Sequence, residues 1–301
     1  MAFGDKFIVI GGAGFIGSNL VAYLCDLGAE VIVFDDLSTG FDELIDSRCR
    51  FYHCSMRDLG GFRQVLVGAS AVFILAARSI ISTSFTNPLS YMESNISELG
   101  NGLIEITRAD IPQVIFSSSA SVYGVCNDEN IKESRVKLPI TMYGATKSAG
   151  EEILSGFFGA YGLNSVALRY FNAYGPNDLQ LPVTRAVPSW IRAGIAGRPV
   201  SVFWGGRQVR DYVYVEDIVK AHVACIGLSG HLRFNVGSGG GIAMNDILAH
   251  IERALEAPLE VVDAGARLGD PMRLVASCDL IMETTNWRPI WSIQDLSLIH
   301  I

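Results

Sequence analysis

The chain has 301 residues, half of them apolar, with a formal net charge of −8 and a pI near 5.1. That length supports one large or two modest domains with a buried core, and the acidic balance excludes a non-specific nucleic-acid binder, which needs a basic face to meet phosphates. No apolar run matches a membrane span, since the longest candidate at 7–24 is broken by Gly, Ser and Asn, and no export signal is legible, so a cytoplasmic protein without a membrane partner is expected.

In chain order, Lys6–Ile10, Glu30–Phe34, Ala71–Leu75, Gln113–Ser117 and Asn164–Arg169 read as strands, rich in β-branched residues. Ile16–Leu27, Phe62–Leu66, Leu89–Arg108 and Tyr143–Tyr161 read as helices between them. This alternation predicts an α/β fold with a Rossmann-type, doubly wound parallel sheet, and the unbroken apolar strands FIVI and AVFIL fit burial on both faces. After Asn172 the texture changes: Pro stands at 176, 182, 188 and 199. Residues 1–171 are therefore expected to form the main domain and 172–301 mainly a smaller C-terminal region. The stretch 208–230 returns to the main domain, because DYVYVEDIVKAHVACI reads as a strand followed by a helix. The six cysteines contain no C-x-x-C and the five histidines no H-E-x-x-H, so neither a metal nor a disulfide is predicted.

GGAGFIG, at Gly11 to Gly17, directly follows the strand FIVI and opens a helix. That is the context a dinucleotide fingerprint requires: Gly11, Gly14 and Gly17 permit a tight turn, close backbone approach to a pyrophosphate, and close helix-on-strand packing. The helix N-terminus then presents N–H groups and partial positive charge to the phosphates. Asp35, ending the strand VIVF, supplies a carboxylate for an adenosine ribose and would repel a 2′-phosphate, so NAD is expected over NADP. Its neighbour Asp36 is expected to be solvated.

In MYGATK, Tyr143 and Lys147 lie four apart and share one helical face. A free phenol with a pKa near 10 is about 0.1% ionised at neutral pH, and bringing it to 7 takes roughly 4 kcal/mol. A nearby ammonium and an oxidised nicotinamide would supply that through proximity of charge.

With these motifs in hand, the chain resembles the extended short-chain dehydrogenase/reductases, specifically the nucleotide-sugar epimerase/dehydratase family. The carriers are GGAGFIGSNL, FDDLSTG (34–40), ILAA (74–77), SSSASVYG (117–124), YGATK (143–147), RYFNAYGP (169–176), RQVRDYVYVED (207–217), FNVGSG (234–239) and RLGD (267–270). The resemblance implies that Ser119, Tyr143 and Lys147 are the catalytic group. It implies NAD contacts at Gly11, Gly14, Phe15, Ile16, Gly17, Asp35, Ser55, Met56, Ala76, Tyr143, Lys147 and Tyr170. Ser119, Asn172, Arg210 and Arg267 would meet the substrate, the two arginines through its diphosphate. It further implies a homodimer built on the helices covering Asn95–Arg108 and Tyr143–Phe158. Four departures stand out: Ile74 and Ser55 replace the usual His and Asp, and Glu98 and Leu99 follow Asn95 in place of Gly-Thr. The abrupt ending LSLIHI also reads as a truncation.

Within that family the 4,6-dehydratases carry Asp-Glu where this chain has Ala120 and Ser121, and the nucleotide-sugar decarboxylases keep a Glu at the position of Ser121. Without a carboxylic acid to expel water, dehydration is disfavoured. Epimerisation at C4 needs no further acid or base, and GDPMRLVAS (269–277) resembles bacterial UDP-glucose 4-epimerases. The expectation is therefore NAD-dependent C4 epimerisation of a UDP-linked sugar, with Leu274 bordering the sugar and leaving room for an N-acetyl group. The alternatives are another nucleotide-sugar oxidoreductase, such as a 4-keto reductase or dehydratase, and an NAD-sensing protein of the same fold without turnover.

Overall fold

The computed structural model describes residues 4–126, 128–179, 185–266 and 271–293. In chain order these form β1 (Lys6–Ile10), α1 (Phe15–Asp26), β2 (Glu30–Asp35), β3 (Arg50–His53), α2 (Arg63–Leu66), β4 (Ala71–Ile74), α3 (Ile81–Thr86), α4 (Pro88–Met92), α5 (Glu98–Arg108), β5 (Gln113–Ser119), α6 (Met142–Tyr161) and β6 (Asn164–Tyr170). There follow β7 (Asn172–Tyr174), α7 (Ala186–Ile195), β8 (Val200–Val202), β9 (Val209–Tyr214), α8 (Val215–Ala224), β10 (His231–Val236), β11 (Gly241–Ala243), α9 (Met244–Leu255), β12 (Val261–Asp263), β13 (Arg273–Leu274) and α10 (Asp279–Thr284).

Seven strands make one parallel sheet in the order β10-β6-β5-β4-β1-β2-β3. The alternation of side chains along each strand splits the core in two. Phe7, Val9, Val31, Val33 and Phe73 face Leu20, Val21 and Leu24 of α1 and Ile218 of α8. Ile8, Ile10, Ile32, Phe34, Val72 and Ile74 face Leu99 and Leu103 of α5 and Leu154 of α6. Helices on both faces are why these strands read as continuous apolar runs.

The strand order reverses between β1 and β4; at its carboxyl end β1 pairs Ile10 with Phe34 of β2 on one side and with Ile74 of β4 on the other. A crevice at the carboxyl ends of the strands is where such sheets bind ligands. Two strands of this sheet, β3 and β10, go beyond the sequence expectation. The strand β9 of the anticipated return does not join the large sheet; it pairs with β7, β11 and β13 in a small mixed sheet, while α8 packs on α1. The single helix expected at Leu89–Arg108 is α4, a π turn at Glu93–Ser97 and α5. The one at Phe62–Leu66 starts earlier, as a 3-10 turn from Met56 that runs into α2. All six cysteines are free thiols, and no helix among the described residues is long and apolar enough to cross a membrane.

Candidate active site

The loops after β1, β2 and β4 and the ends of β5 and β6 surround a cleft of about 1010 Å³. That volume stands at the upper end of about 300–1,000 Å³ for small-molecule sites, room for a large ligand or for two smaller ones together. Gly11, Gly14, Phe15, Ile16, Gly17, Asp35, Ser55, Met56, Ala76, Ser119, Tyr143, Lys147, Tyr170, Asn172 and Arg210 all line it, as does Leu274. Arg267 lies outside the described residues.

The glycine loop is shaped by contact. Gly11 has φ +88°, and a Cβ there would stand 2.3 Å from the Ala76 backbone nitrogen; one at Gly17 would stand 2.0 Å from the Gly11 carbonyl oxygen. Gly14 caps α1 in an extended conformation with no side-chain capping bond, and Phe15, Ile16 and Gly17 of the first turn line the cleft, an arrangement suited to phosphate. Gly17→Ala is therefore expected to cost about 1–3 kcal/mol of stability through overpacking and to weaken NAD binding at least about tenfold by displacing the N–H groups of that turn. Thermal unfolding and calorimetric titration with NAD check both; unchanged NAD affinity would remove the loop from the cofactor site.

Beside the loop, Asp35 Oδ2 accepts from the Ala13 N–H and Oδ1 from the Leu37 N–H, each at 2.9 Å. Burial raises the Asp35 pKa against those two bonds. The buried carboxylate is thus aimed and held at the cleft wall, ready for ribose hydroxyls, whose hydrogen bonds favour its charged form. Asp36 is exposed and accepts the Ser38 N–H at 2.9 Å. The Ser55 hydroxyl donates to Asp58 at 2.9 Å, and Met56 is buried under Gly102, where a Cβ would meet its Cγ at 2.3 Å.

The candidate reactive groups stand at the opposite end. α6 starts at the N-cap Thr141, whose Oγ1 accepts from the Gly144 N–H at 3.0 Å, and Gly144 lets the helix start abut the carbonyl of Ser121. This presents Tyr143 to Ser119, whose hydroxyl favours the phenolate. Ser119 Oγ also lies 3.2 Å from both the hydroxyl and the backbone nitrogen of Ser121. Burial dominates and raises the Tyr143 pKa, with Ser119 and the charge of Arg185 opposing it.

Lys147 behaves differently from the sequence expectation. Its Nζ donates to the Ser117 carbonyl at 2.6 Å, sits 4.8 Å over the Phe116 ring and lies 6.0 Å from the Tyr143 ring centre. Desolvation pulls its pKa down to about 7. An amine only half charged near neutrality, and turned toward a carbonyl, is a weak partner for the phenol, so in the NAD-free protein Ser119 and Arg185 favour the phenolate in its place.

Two contributors carry no role assigned from the sequence. Arg185, at the start of α7, lines the cleft, stacks 5.1 Å over Phe15 and ion-pairs with Asp178. A lone arginine in a proline-rich stretch carries no sequence signal. Asn95, on the π turn, accepts from the Arg78 N–H at 2.8 Å and donates to the Arg78 carbonyl and to Thr146 Oγ1, both at 3.0 Å. It clamps the loop after β4 to α6, and the wide turn that breaks the expected helix is its visible sign. Among the described lining residues the carboxylates are Asp35, Asp36 and Glu98; burial raises the pKa of Glu98, and the nearby charge of Asp36 adds to it. They gather at the β2 end of the cleft, away from Tyr143.

A family model described as "NAD dependent epimerase/dehydratase family" matches residues 7–237. The chain belongs to that family. Curated members include a UDP-glucose 4-epimerase of Lacticaseibacillus casei, 32% identical over 93% of this chain and 91% of its own. Solved members include the Thermus thermophilus UDP-glucose 4-epimerase in complex with NAD, 32% identical with a TM-score of 0.89 and 98% of both chains covered. Another is the Methanobrevibacter ruminantium UDP-N-acetylglucosamine 4-epimerase in complex with UDP-N-acetylmuramic acid, 31% identical with a TM-score of 0.92 over 99% of this chain and 96% of that one. NAD is thus the cofactor of this epimerase/dehydratase family member, and the cradle from Gly11 to Gly17 with Asp35 has the donors and the acceptor that a dinucleotide requires.

Proposed function

We propose that this protein epimerises a UDP-linked sugar at C4, with Tyr143 as its proton-transfer group. The observation that carries the reading is the pairing of Tyr143 with Ser119 in a cleft whose described carboxylates stand at the other end. The full-length similarity to 4-epimerases supports it. NAD, when bound, would supply the acceptor and the returning donor of the C4 hydride. Tyr143 takes the proton of the 4-hydroxyl as the hydride leaves, and Ser119 holds the same oxygen by hydrogen bond. The hexose then turns about its diphosphate link as a 4-keto sugar, and Tyr143 gives the proton back. Neither step needs a second acid, which Ala120 and Ser121 do not offer.

Arg210 and Asn172 would hold the diphosphate, joined by Arg267. Arg210 is 7% exposed, so an anion there would be bound where water screens it little. Exposed Leu89, Met92, Ile104 and Phe158 on α4, α5 and α6 support a homodimer through those helices; sedimentation velocity reads a monomer if that part is wrong.

Incubation with UDP-glucose and, separately, with UDP-N-acetylglucosamine, followed by anion-exchange separation of the sugar nucleotides, tests the reaction. Conversion of each to its C4 epimer without net NADH formation is expected. Turnover of neither sinks the assignment, and conversion of UDP-glucose alone removes the room ascribed to Leu274.

A further inference from the structure

On α6, Lys147 and Glu151 follow Tyr143 by one and two helical turns, so the three share the face turned to β5. The strand answers at three consecutive residues. Ser117 receives Lys147 through its carbonyl at 2.6 Å, Ser118 donates its hydroxyl to Glu151 Oε1 at 2.6 Å, and the Ser119 hydroxyl stands by Tyr143 and favours its phenolate. Glu151 is fully buried, and Arg169 of β6 grips it in a bidentate pair, Nε to Oε1 at 2.9 Å and Nη2 to Oε2 at 2.7 Å. Lys137 adds a third partner at 3.2 Å. Behind Arg169 the chain of bonds continues through the Tyr123 hydroxyl at 2.8 Å to Asn235 of β10 at 2.6 Å. Burial opposes the Glu151 charge, but Arg169, Ser118 and Lys137 outweigh it and hold the carboxyl below its usual range.

We propose that Ser118, Glu151 and Arg169 are positioning residues: they set the register of α6 against β5 and so fix the approach of Tyr143 to Ser119. A buried ion pair is a poor way to gain stability, because apolar residues of similar volume hold elements together at least as well. Apolar contacts tolerate sliding by a few tenths of an ångström, whereas directional bonds of 2.6–2.9 Å do not. The network adjoins the reactive groups along both elements, and no proton in the proposed reaction passes through it.

The role in turnover rests on the epimerase reading, so the test includes a measurement that needs no sugar. Ser118→Ala removes one bond to Glu151 and leaves the Arg169 pair in place. In the NAD-loaded protein, the Tyr143 titration is read at 295 nm as the difference from Tyr143→Phe. Ser118→Ala is expected to move it upward by about half a unit or more, since a looser Ser119 contact stabilises the phenolate less. kcat should fall about tenfold with KM within about twofold, as slight misplacement predicts, and Ser118→Thr, which keeps the hydroxyl, should recover it. Glu151→Gln, in whatever fraction folds, should displace the titration in the same direction. A Tyr143 titration and kcat unchanged in Ser118→Ala, with only the melting temperature lowered, would overturn the proposal. If the wild type converts no sugar nucleotide, the epimerase reading falls, and the titration still decides the positioning role.

Discussion

Tyr143→Phe is expected to lower kcat by about 10²–10⁴-fold, the usual contribution of a positioned acid–base group, while the protein folds and retains NAD. The ring stays, so the packing of the cleft wall beside Lys147 is preserved. Only the hydroxyl is lost, and its partner Ser119 keeps the hydroxyl and backbone nitrogen of Ser121 within 3.2 Å. The change in stability should therefore stay within about 1 kcal/mol. In the proposed reaction Tyr143 acts on the proton of the 4-hydroxyl and not on the diphosphate, so KM should move little. Steady-state kinetics, with NAD occupancy from absorbance, check both halves. Turnover within tenfold of wild type would assign proton transfer elsewhere; loss of NAD together with turnover would make the residue structural.

Lys147→Met separates stability from activity. Burial brings the Lys147 pKa down to about 7 from its ordinary 10.5. The unfolded chain therefore holds this proton up to about pH 10.5 and the folded protein only to about 7, so folding releases it across that window. Stability of the NAD-free protein should rise with pH between 7 and 10.5, at most about 1.4 kcal/mol per unit, with the full penalty present below 7. Methionine fills the same space over Phe116 without a charge to desolvate, at the cost of the bond to the Ser117 carbonyl. The variant is expected to be more stable than wild type by about 2 kcal/mol at pH 6.5, with the advantage fading toward pH 10. Its kcat should fall about a hundredfold or more, since methionine has no N–H to make the NAD contact expected of Lys147. Urea unfolding of the NAD-free proteins at pH 6.5, 8.0 and 9.5 measures the first effect. A variant destabilised equally at every pH would show that the amine is not held at a desolvation cost.

The alternation of apolar strands with helices, the loop GGAGFIG and the spacing of Tyr143 and Lys147 were legible in the sequence because each rests on local chemistry, whereas Ser119 entered as a candidate only through the family resemblance. A glycine where a Cβ would collide, a phenol and an amine one turn apart, and a carboxylate ending a strand have meaning within a few residues of chain. β3 and β10 escaped because RFYH and HLRFNV mix polar and apolar residues. Only the neighbours β2 and β6, which satisfy their backbone groups, make them strands. The π turn escaped because Leu89–Arg108 carries an ordinary helical pattern, and the bonds from Asn95 that accompany its widening reach residues 17 and 51 positions away.

The sequence by itself determined the fold class and the cofactor and pointed to candidate reactive residues, because those depend on residue type and short spacing. The tertiary structure alone decided the electrostatics around them. Lys147 is recognisable as an amine near a phenol from its position in the helix, but its pKa near 7 comes from burial against β5. Arg185 reaches Tyr143 from 42 positions along the chain, and Glu151 meets Ser118 and Arg169 only because α6 lies across β5 and β6. Charge and desolvation act over distances in space, and the order of residues in the chain carries no measure of them.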